Sequence, residues 1–242
     1  MEIEIKGDIL DNDWGEWYEW FGYSCTYPKK ITNQLKQANG EAIVVKINSP
    51  GGDIFAGSEI YTELRDYKGE VIIKITGIAA SAASVIAMAR KSKISPTAQI
   101  MVHNVSTNSY GDYREMEHTS EILKNANDTI ANSYMCKTGM SREAALEMMN
   151  NETYLSAEKA LELGLVDEIM FEDSNKVNLS TLNNLKMDNL INSIGNAPIE
   201  VIKNFKNRLK NSNHPIQENK DDFLLEQKSK SMINLLKFGG IK

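Results

Sequence analysis

The part of the sequence that most constrains the fold is the apolar stretch of residues 71–89. Its first half is β-branched (Val71-Ile72-Ile73), its second half is rich in alanine, and Lys74 interrupts it. A helix that crosses a membrane needs about 20 apolar residues and has no reason to change composition midway. A buried strand that runs into a buried helix explains the change better. We therefore predict no membrane association, and because residues 1–5 are acidic and alternating, no signal peptide.

The same strand-to-helix order occurs earlier in the chain. A strand pattern at residues 42–47 is followed by a helical pattern at 54–67, and the next strand comes at 71–75. This order is typical of βαβ units with a parallel sheet and covering helices, an α/β fold. A long helix is predicted at residues 113–137, with apolar side chains spaced three or four apart.

Composition excludes several classes of function. The chain has 27 basic and 33 acidic residues, a formal charge of −6, which argues against a general nucleic-acid binder. Cys25 and Cys136 cannot form a disulfide framework, no CxxC pair indicates zinc, and a reducing cytoplasm fits best. No two of His103, His118 and His214 have the spacing of metal ligands, so we expect neither a metal nor a cofactor.

Glycine marks the first candidate functional turn, Ser49-Pro50-Gly51-Gly52. It matches neither the P-loop nor the dinucleotide fingerprint. Two adjacent glycines allow positive φ and backbone N–H groups that face a cleft, although an ordinary structural turn explains them as well.

The second candidate turn, residues 77–84, places Ser81 between alanines where a strand meets a helix. Such small neighbours leave the hydroxyl uncovered, and the N–H of Ala82 could face a developing negative charge, as in a nucleophile elbow. Close packing of a helix on small residues is the alternative. His103 directly follows a strand signal at residues 100–102, so it could lie at the same sheet edge as Ser81 and act as its base.

Four motifs in register resemble ClpP, the proteolytic subunit family of the Clp protease. They are Ile47-Asn48-Ser49-Pro50-Gly51-Gly52, then Gly77 to Ser81, then Met101-Val102-His103, and finally residues 155–167 beginning Leu155-Ser156-Ala157. The resemblance implies a serine peptidase on the crotonase-like fold, with a long oligomerisation helix. It also implies that Ser81 is the nucleophile, His103 the general base, and Gly52 and Ala82 the residues whose N–H groups form the oxyanion hole.

The chain departs from the family pattern at the third triad position. Where the family has an aspartate, three residues before the Leu-Ser-Ala segment, this chain has Glu152. Glutamate can still accept a hydrogen bond from the base and orient it. We expect Glu152 to complete the triad, with Asp167 as the alternative.

The resemblance also implies partners. It predicts a homo-oligomer of stacked rings that cleaves proteins, with no nucleic acid and no membrane. The chain begins almost at its first strand, so an ATPase partner is doubtful. The short start, the glutamate and an added polar tail are more similar to ClpP-like head maturation proteases of phages and prophages. Their substrates are scaffold and capsid proteins, processed in the bacterial host cytoplasm.

Two other functions remain open on the sequence. One is a ring whose triad has decayed and that serves as an assembly or scaffold factor. The other is a crotonase-like enzyme that acts on acyl-CoA thioesters, although the Ser81 and His103 motifs belong to the peptidase branch.

A change of charge divides the chain into two predicted domains. Residues 1–173, the predicted protease domain, carry 16 basic and 27 acidic residues. Residues 174–242 carry 11 basic and 6 acidic residues and are rich in Asn and Lys. We predict that this extension is partly helical, at 199–209 and 223–236, or disordered, and that it binds an acidic surface.

Overall fold

The structure, a computed structural model, describes residues 1–171. The predictions for the extension, including its two helices and His214, lie outside the described residues. The strands are β1 (Glu2–Ile9), β2 (Cys25–Thr26), β3 (Ile43–Gly52), β4 (Val71–Ala80), β5 (Lys91–Ile94), β6 (Gln99–Val102), β7 (Thr153–Ser156) and β8 (Glu168–Ile169). The helices are α1 (Asn12–Trp20), α2 (Pro28–Ala38), α3 (Ile54–Asp66), α4 (Ala82–Ala87), α5 (Tyr113–Thr138), α6 (Arg142–Asn150) and α7 (Ala157–Glu162).

The strands of residues 1–171 form one sheet, and the predicted α/β class is confirmed. Six strands follow the order β2-β1-β3-β4-β5-β8, and all of these pairs are parallel. Strand β6 joins β4 in parallel, and β7 is antiparallel to β6. The helices between parallel strands are the crossovers that such pairing requires.

The main core lies on one face of the sheet. Along β3 and β4, alternate side chains such as Val45, Ile47, Ile73 and Ile75 are fully buried, while their neighbours are partly exposed. This alternation follows from the period of two along a strand. Helices α3 and α4 contribute buried residues to the same core, and every residue of α4 is buried.

Strands β3 and β4 are longer than the sequence predicts. The segment at Pro50-Gly51-Gly52 is the end of β3 and pairs with β1, whereas the glycines predict a turn. Likewise β4 continues to Ala80, where the small residues predict the start of a helix. The reason is a change of partner: β4 pairs with β5 through Ile75 and with β6 from Ile78 onward. Local composition does not report such long-range pairing.

Helix α5 confirms the predicted long helix to within one residue at its C-terminal end. Asp112 and Glu115 form a capping box at its start, and Gly139, with φ of 75°, ends it. Its first half is exposed, whereas Ile130 and Tyr134 are buried near the sheet. Among the helices of residues 1–171, none is long and apolar enough to cross a membrane.

Candidate active site

The candidate site is built around a strained turn between β4 and α4. Ser81 has φ of 53° and ψ of −125°, a conformation that residues with a side chain rarely adopt. The alanines on either side, Ala80 and Ala82, are buried and small. The sharp turn projects the serine from the end of a strand, as in a nucleophile elbow.

Sheet pairing brings His103 to this turn. Ala80 pairs with Met101, and the Ser81 N–H donates to the Met101 carbonyl at 3.0 Å. Two residues further along, the His103 Nε2 lies 2.8 Å from the Ser81 Oγ. This hydrogen bond is the contact that a serine nucleophile and its general base require. The structure therefore brings together the two residues that the sequence singles out.

Two asparagines hold the segment that follows the histidine. The Val105 N–H donates to the Asn127 Oδ1 of α5 at 2.7 Å. The Asn104 Nδ2 donates to the Asn150 Oδ1 at the end of α6, at 2.8 Å. Residues on both sides of His103 are thus fixed, by β6 before it and by these two bonds after it, which restricts the position of its ring.

The Ala82 N–H, a predicted oxyanion donor, begins α4 directly after the serine. Ala82 is fully buried, and no backbone or side-chain acceptor within residues 1–171 receives its N–H. A buried N–H without a partner is rare and costly in a folded protein, and this one belongs to the residue directly after Ser81. The N–H is available to a negative charge that develops next to Ser81 Oγ.

The two glycines at the end of β3 are tightly packed, Gly51 against the Ser81 turn and Gly52 against β1. A Cβ on Gly51 would stand 2.7 Å from the Ser81 Cβ and 3.0 Å from the Ala82 N, and φ is 96°. At Gly52, where φ is 145°, a Cβ would stand 2.1 Å from the Ile9 carbonyl oxygen. Only glycine fits either position, which explains the paired glycines. Gly52 lines the cleft next to Ser81.

The cleft beside Ser81 has a volume of about 360 Å³. Helix α5 forms one wall with apolar side chains, and the loop after His103 and the start of α3 form the others. The α5 residues are Ile122, Leu123, Ala126, Ile130 and Tyr134. A cleft with these walls can hold an apolar side chain next to the nucleophile.

Glu152 directly precedes β7 and makes no hydrogen bond to His103 within residues 1–171. Thr153 pairs with Val102, and Glu152 and His103 are the residues that flank this pair, but Glu152 has φ of 45° and lies in the turn before β7. The Glu152 carboxylate accepts a hydrogen bond of 3.4 Å from the Tyr154 hydroxyl. No hydrogen bond or ion pair joins it to His103 in the described structure. The sequence pattern does not predict β7, although Thr153, Tyr154 and Leu155 are a short β-type pattern.

Asp167, the alternative third member, is engaged elsewhere. Its Oδ2 accepts from the Lys137 Nζ at 2.5 Å and from the Ser92 N–H at 2.7 Å. Partial burial acts to raise the pKa of Asp167, but the Lys137 and Ser92 hydrogen bonds outweigh it and hold that pKa below its usual value. The ammonium of Lys137 also donates to the Arg90 carbonyl at 3.1 Å. Asp167 ties β5 to the end of α5, and no hydrogen bond joins it to His103 within residues 1–171.

A buried pair that the sequence does not predict lies behind Ser81. The Tyr134 hydroxyl lies 2.8 Å from the Ser84 Oγ, and both residues are buried. Burial raises the pKa of Tyr134 to about 12, although the bond to Ser84 acts in the opposite direction, so the phenol is neutral and can donate its proton. Tyr134 belongs to the apolar stripe of α5, which predicts only a core position. Nothing in the sequence links it to Ser84.

No group of three His, Cys, Asp or Glu side chains within residues 1–171 is arranged to hold a metal ion. His118, which lies on the exposed part of α5, is outside the cleft.

Three comparisons place the chain among known proteins. A family model described as Clp protease matches residues 26–173. A Clp protease proteolytic subunit 1 of Chlamydia muridarum is 34% identical over 149 residues, 59% of this chain and 77% of the relative. A Clp protease proteolytic subunit of Deinococcus radiodurans is 34% identical over 134 residues, 54% and 65% of the two chains. A solved ClpP1 mutant from Listeria monocytogenes aligns with a TM-score of 0.59 and 23% identity, over 70% of this chain and 90% of that one, which shows the fold.

Proposed function

The chain belongs to the Clp protease family and is a serine-type peptidase, and we propose that it cleaves peptide bonds by using Ser81 as nucleophile and His103 as general base. The observation that supports this assignment most is the 2.8 Å contact between the His103 Nε2 and the Ser81 Oγ at a strained turn. The membership makes an acyl-CoA enzyme the weaker reading.

The proposed reaction is acyl transfer in two steps. Ser81 Oγ attacks the peptide carbonyl and His103 takes the hydroxyl proton, then passes it to the leaving amine. The N–H groups of Ala82 and Gly52 stabilise the negative charge on the carbonyl oxygen. Water then hydrolyses the acyl-enzyme with His103 again acting as the base. The buried Ala82 N–H, which has no hydrogen-bond acceptor within residues 1–171, supports this role.

We propose that Glu152 orients His103 once substrate or a neighbouring subunit is bound. Glu152 and His103 flank the Thr153–Val102 pair of β7 and β6, which supports this role, and a rotation of the exposed glutamate side chain is enough to break its bond to Tyr154. Catalytic hydrogen bonds are often unformed in the absence of substrate and close only in the complex.

The proposed substrates are proteins, and the proposed assembly is a homo-oligomer. The family forms stacked rings that cleave proteins, and the exposed apolar residues of α5 (Tyr113, Met116 and Ile122) are consistent with contact between copies of this chain. The glutamate at the third position and the basic extension favour a phage or prophage head maturation protease that processes scaffold or capsid proteins. The apolar cleft favours an apolar side chain beside the cleaved bond.

A fluorophosphonate probe tests the nucleophile directly. We expect the probe to label wild-type protein and Ser106→Ala, but not Ser81→Ala. Ser106 is the matched control, because it lines the same cleft and has no bond to His103. Cleavage of fluorogenic peptides should follow the same pattern and be faster with leucine than with aspartate before the scissile bond. Equal labelling of Ser81→Ala would refute the assignment.

A decayed ring that acts as an assembly factor is the second candidate function. The observation in its favour is that Glu152 does not contact His103. An assembled oligomer in which wild-type Ser81 does not react with the probe would support this candidate over the peptidase.

A further inference from the structure

A chain of hydrogen bonds connects helix α5 to the carbonyl of the candidate nucleophile. Tyr134 on α5 is 1% exposed, and its hydroxyl lies 2.8 Å from the Ser84 Oγ. The Ser84 Oγ in turn donates to the Ser81 carbonyl oxygen at 2.6 Å. The catalytic contact between Ser81 and His103 uses neither of these hydroxyls, and the sequence motifs assign them no role.

The direction of the protons follows from the chemistry of the three groups. A carbonyl oxygen can only accept a hydrogen bond, so the Ser84 hydroxyl uses its one proton to donate to the Ser81 carbonyl oxygen. The Tyr134 hydroxyl must then donate to Ser84. Because the phenol is neutral and fully buried, it has this proton to give. The three groups therefore form one directed relay from the phenol to the carbonyl.

The relay ends on the peptide group that also carries the candidate oxyanion donor. The Ser81 carbonyl and the Ala82 N–H belong to a single peptide unit, which is planar and rigid. A bond that fixes the carbonyl therefore fixes the direction of the N–H. Hydrogen bonds accepted by the carbonyl also polarise the unit and make its N–H a stronger donor.

The Ser81 carbonyl oxygen also accepts two hydrogen bonds from backbone N–H groups. The Ser84 N–H donates at 2.9 Å and the Val85 N–H at 3.3 Å, both as part of the first turn of α4. The Ser84 hydroxyl makes the shortest of the three bonds, at 2.6 Å. It is also the one whose donor is itself hydrogen-bonded to a residue outside the turn, Tyr134.

We propose that Tyr134 and Ser84 are positioning residues that orient and polarise the Ala82 N–H for the charged oxygen of the tetrahedral intermediate. The proposal rests on the proposed peptidase function and goes beyond it. It makes stabilisation of the transition state depend on how α5 packs against α4 through Tyr134. A purely structural pair would contribute to folding but not to the preference for a tetrahedral ligand.

The expected effect is moderate, because neither residue contacts the oxyanion. Loss of an oxyanion donor costs about 10²–10³ in rate. A neighbouring bond changes a hydrogen bond by about 10–30%. We therefore expect a fall in kcat of about two- to eightfold, with little change in KM, because the ground-state carbonyl uses this donor less than the charged oxygen does.

The test measures kcat, KM and the affinity for a peptide boronate, which forms a tetrahedral adduct with the nucleophile. The variants are Tyr134→Phe, which keeps the ring that lines the cleft, Ser84→Ala, and the double variant. Ser133→Ala is the matched control, since Ser133 is a buried hydroxyl on the same helix that bonds only to the Ile130 carbonyl. All variants are compared as the assembled full chain.

The relay predicts that boronate affinity falls by the same factor as kcat/KM, and that the double variant is no worse than Ser84→Ala alone. Ser133→Ala should match wild type in both measurements. If Tyr134→Phe and Ser84→Ala lower only the melting temperature, and kcat and boronate affinity stay at wild-type values, the proposal is wrong. A wild-type chain without activity that depends on Ser81 would instead overturn the peptidase function itself.

Discussion

Replacing Ser81 by glycine should make the protein inactive but more stable than replacing it by alanine. Both variants lose the Oγ and its bond to His103, so they differ only in the Cβ of residue 81. With φ of 53° and ψ of −125°, that Cβ is held in a conformation open mainly to glycine. The comparison therefore isolates the backbone strain of the turn.

The magnitude follows from two opposing effects. A residue with a side chain in a sparsely populated region costs about 1–3 kcal/mol. Glycine loses more backbone entropy on folding than alanine, which costs about 0.5–1 kcal/mol. The balance favours Ser81→Gly by about 1 kcal/mol, which for a domain of this size raises Tm by about 2–4 °C.

The assay is thermal unfolding of the two variants at one protomer concentration, because association also shifts Tm. Ser106→Gly and Ser106→Ala serve as the matched pair, since residue 106 is exposed and does not have a positive φ. There the alanine variant should be the more stable. If Ser81→Gly melts at or below Ser81→Ala, the turn is not strained and the argument for a nucleophile elbow loses its main geometric support.

Two further predictions concern the acidic side chains. Lys137→Met should lower the free energy of unfolding at neutral pH. Because the folded-state pKa of Asp167 is lowered, the stabilisation is present above the unfolded pKa of about 3.9 and is lost as the pH falls through the folded value. The difference between variant and wild type in urea unfolding should therefore shrink in acid, and a constant difference would contradict the pairing. Glu152→Gln should lower kcat by about 10²-fold, less than the 10⁴ of a buried triad carboxylate; peptide turnover equal to that of wild type would remove Glu152 from the triad.

The sequence predicts some residues of the candidate site better than others. Ser81 and His103 are candidates from local patterns, a serine between alanines and a histidine directly after a strand, and their roles come from the resemblance of the motifs around them to ClpP. The structure then places them 2.8 Å apart. Glu152 is predictable only as a position in a motif, and the sequence does not predict the short strand β7 that follows it. The alternative, Asp167, was separated from the site only by its contacts with Lys137 and Ser92.

The sequence by itself determined the fold class, the order of the main strands and helices, and the glycines and small residues around Ser81. These features depend on periodicity and side-chain size, which are encoded within a few residues. Only the tertiary structure decided that β4 changes partner from β5 to β6, which brings His103 to Ser81. It alone joined Tyr134 to Ser84, 50 residues apart in the chain. Such contacts arise from the packing of segments that are distant in the sequence. The local pattern around one residue does not indicate which distant residue it will contact.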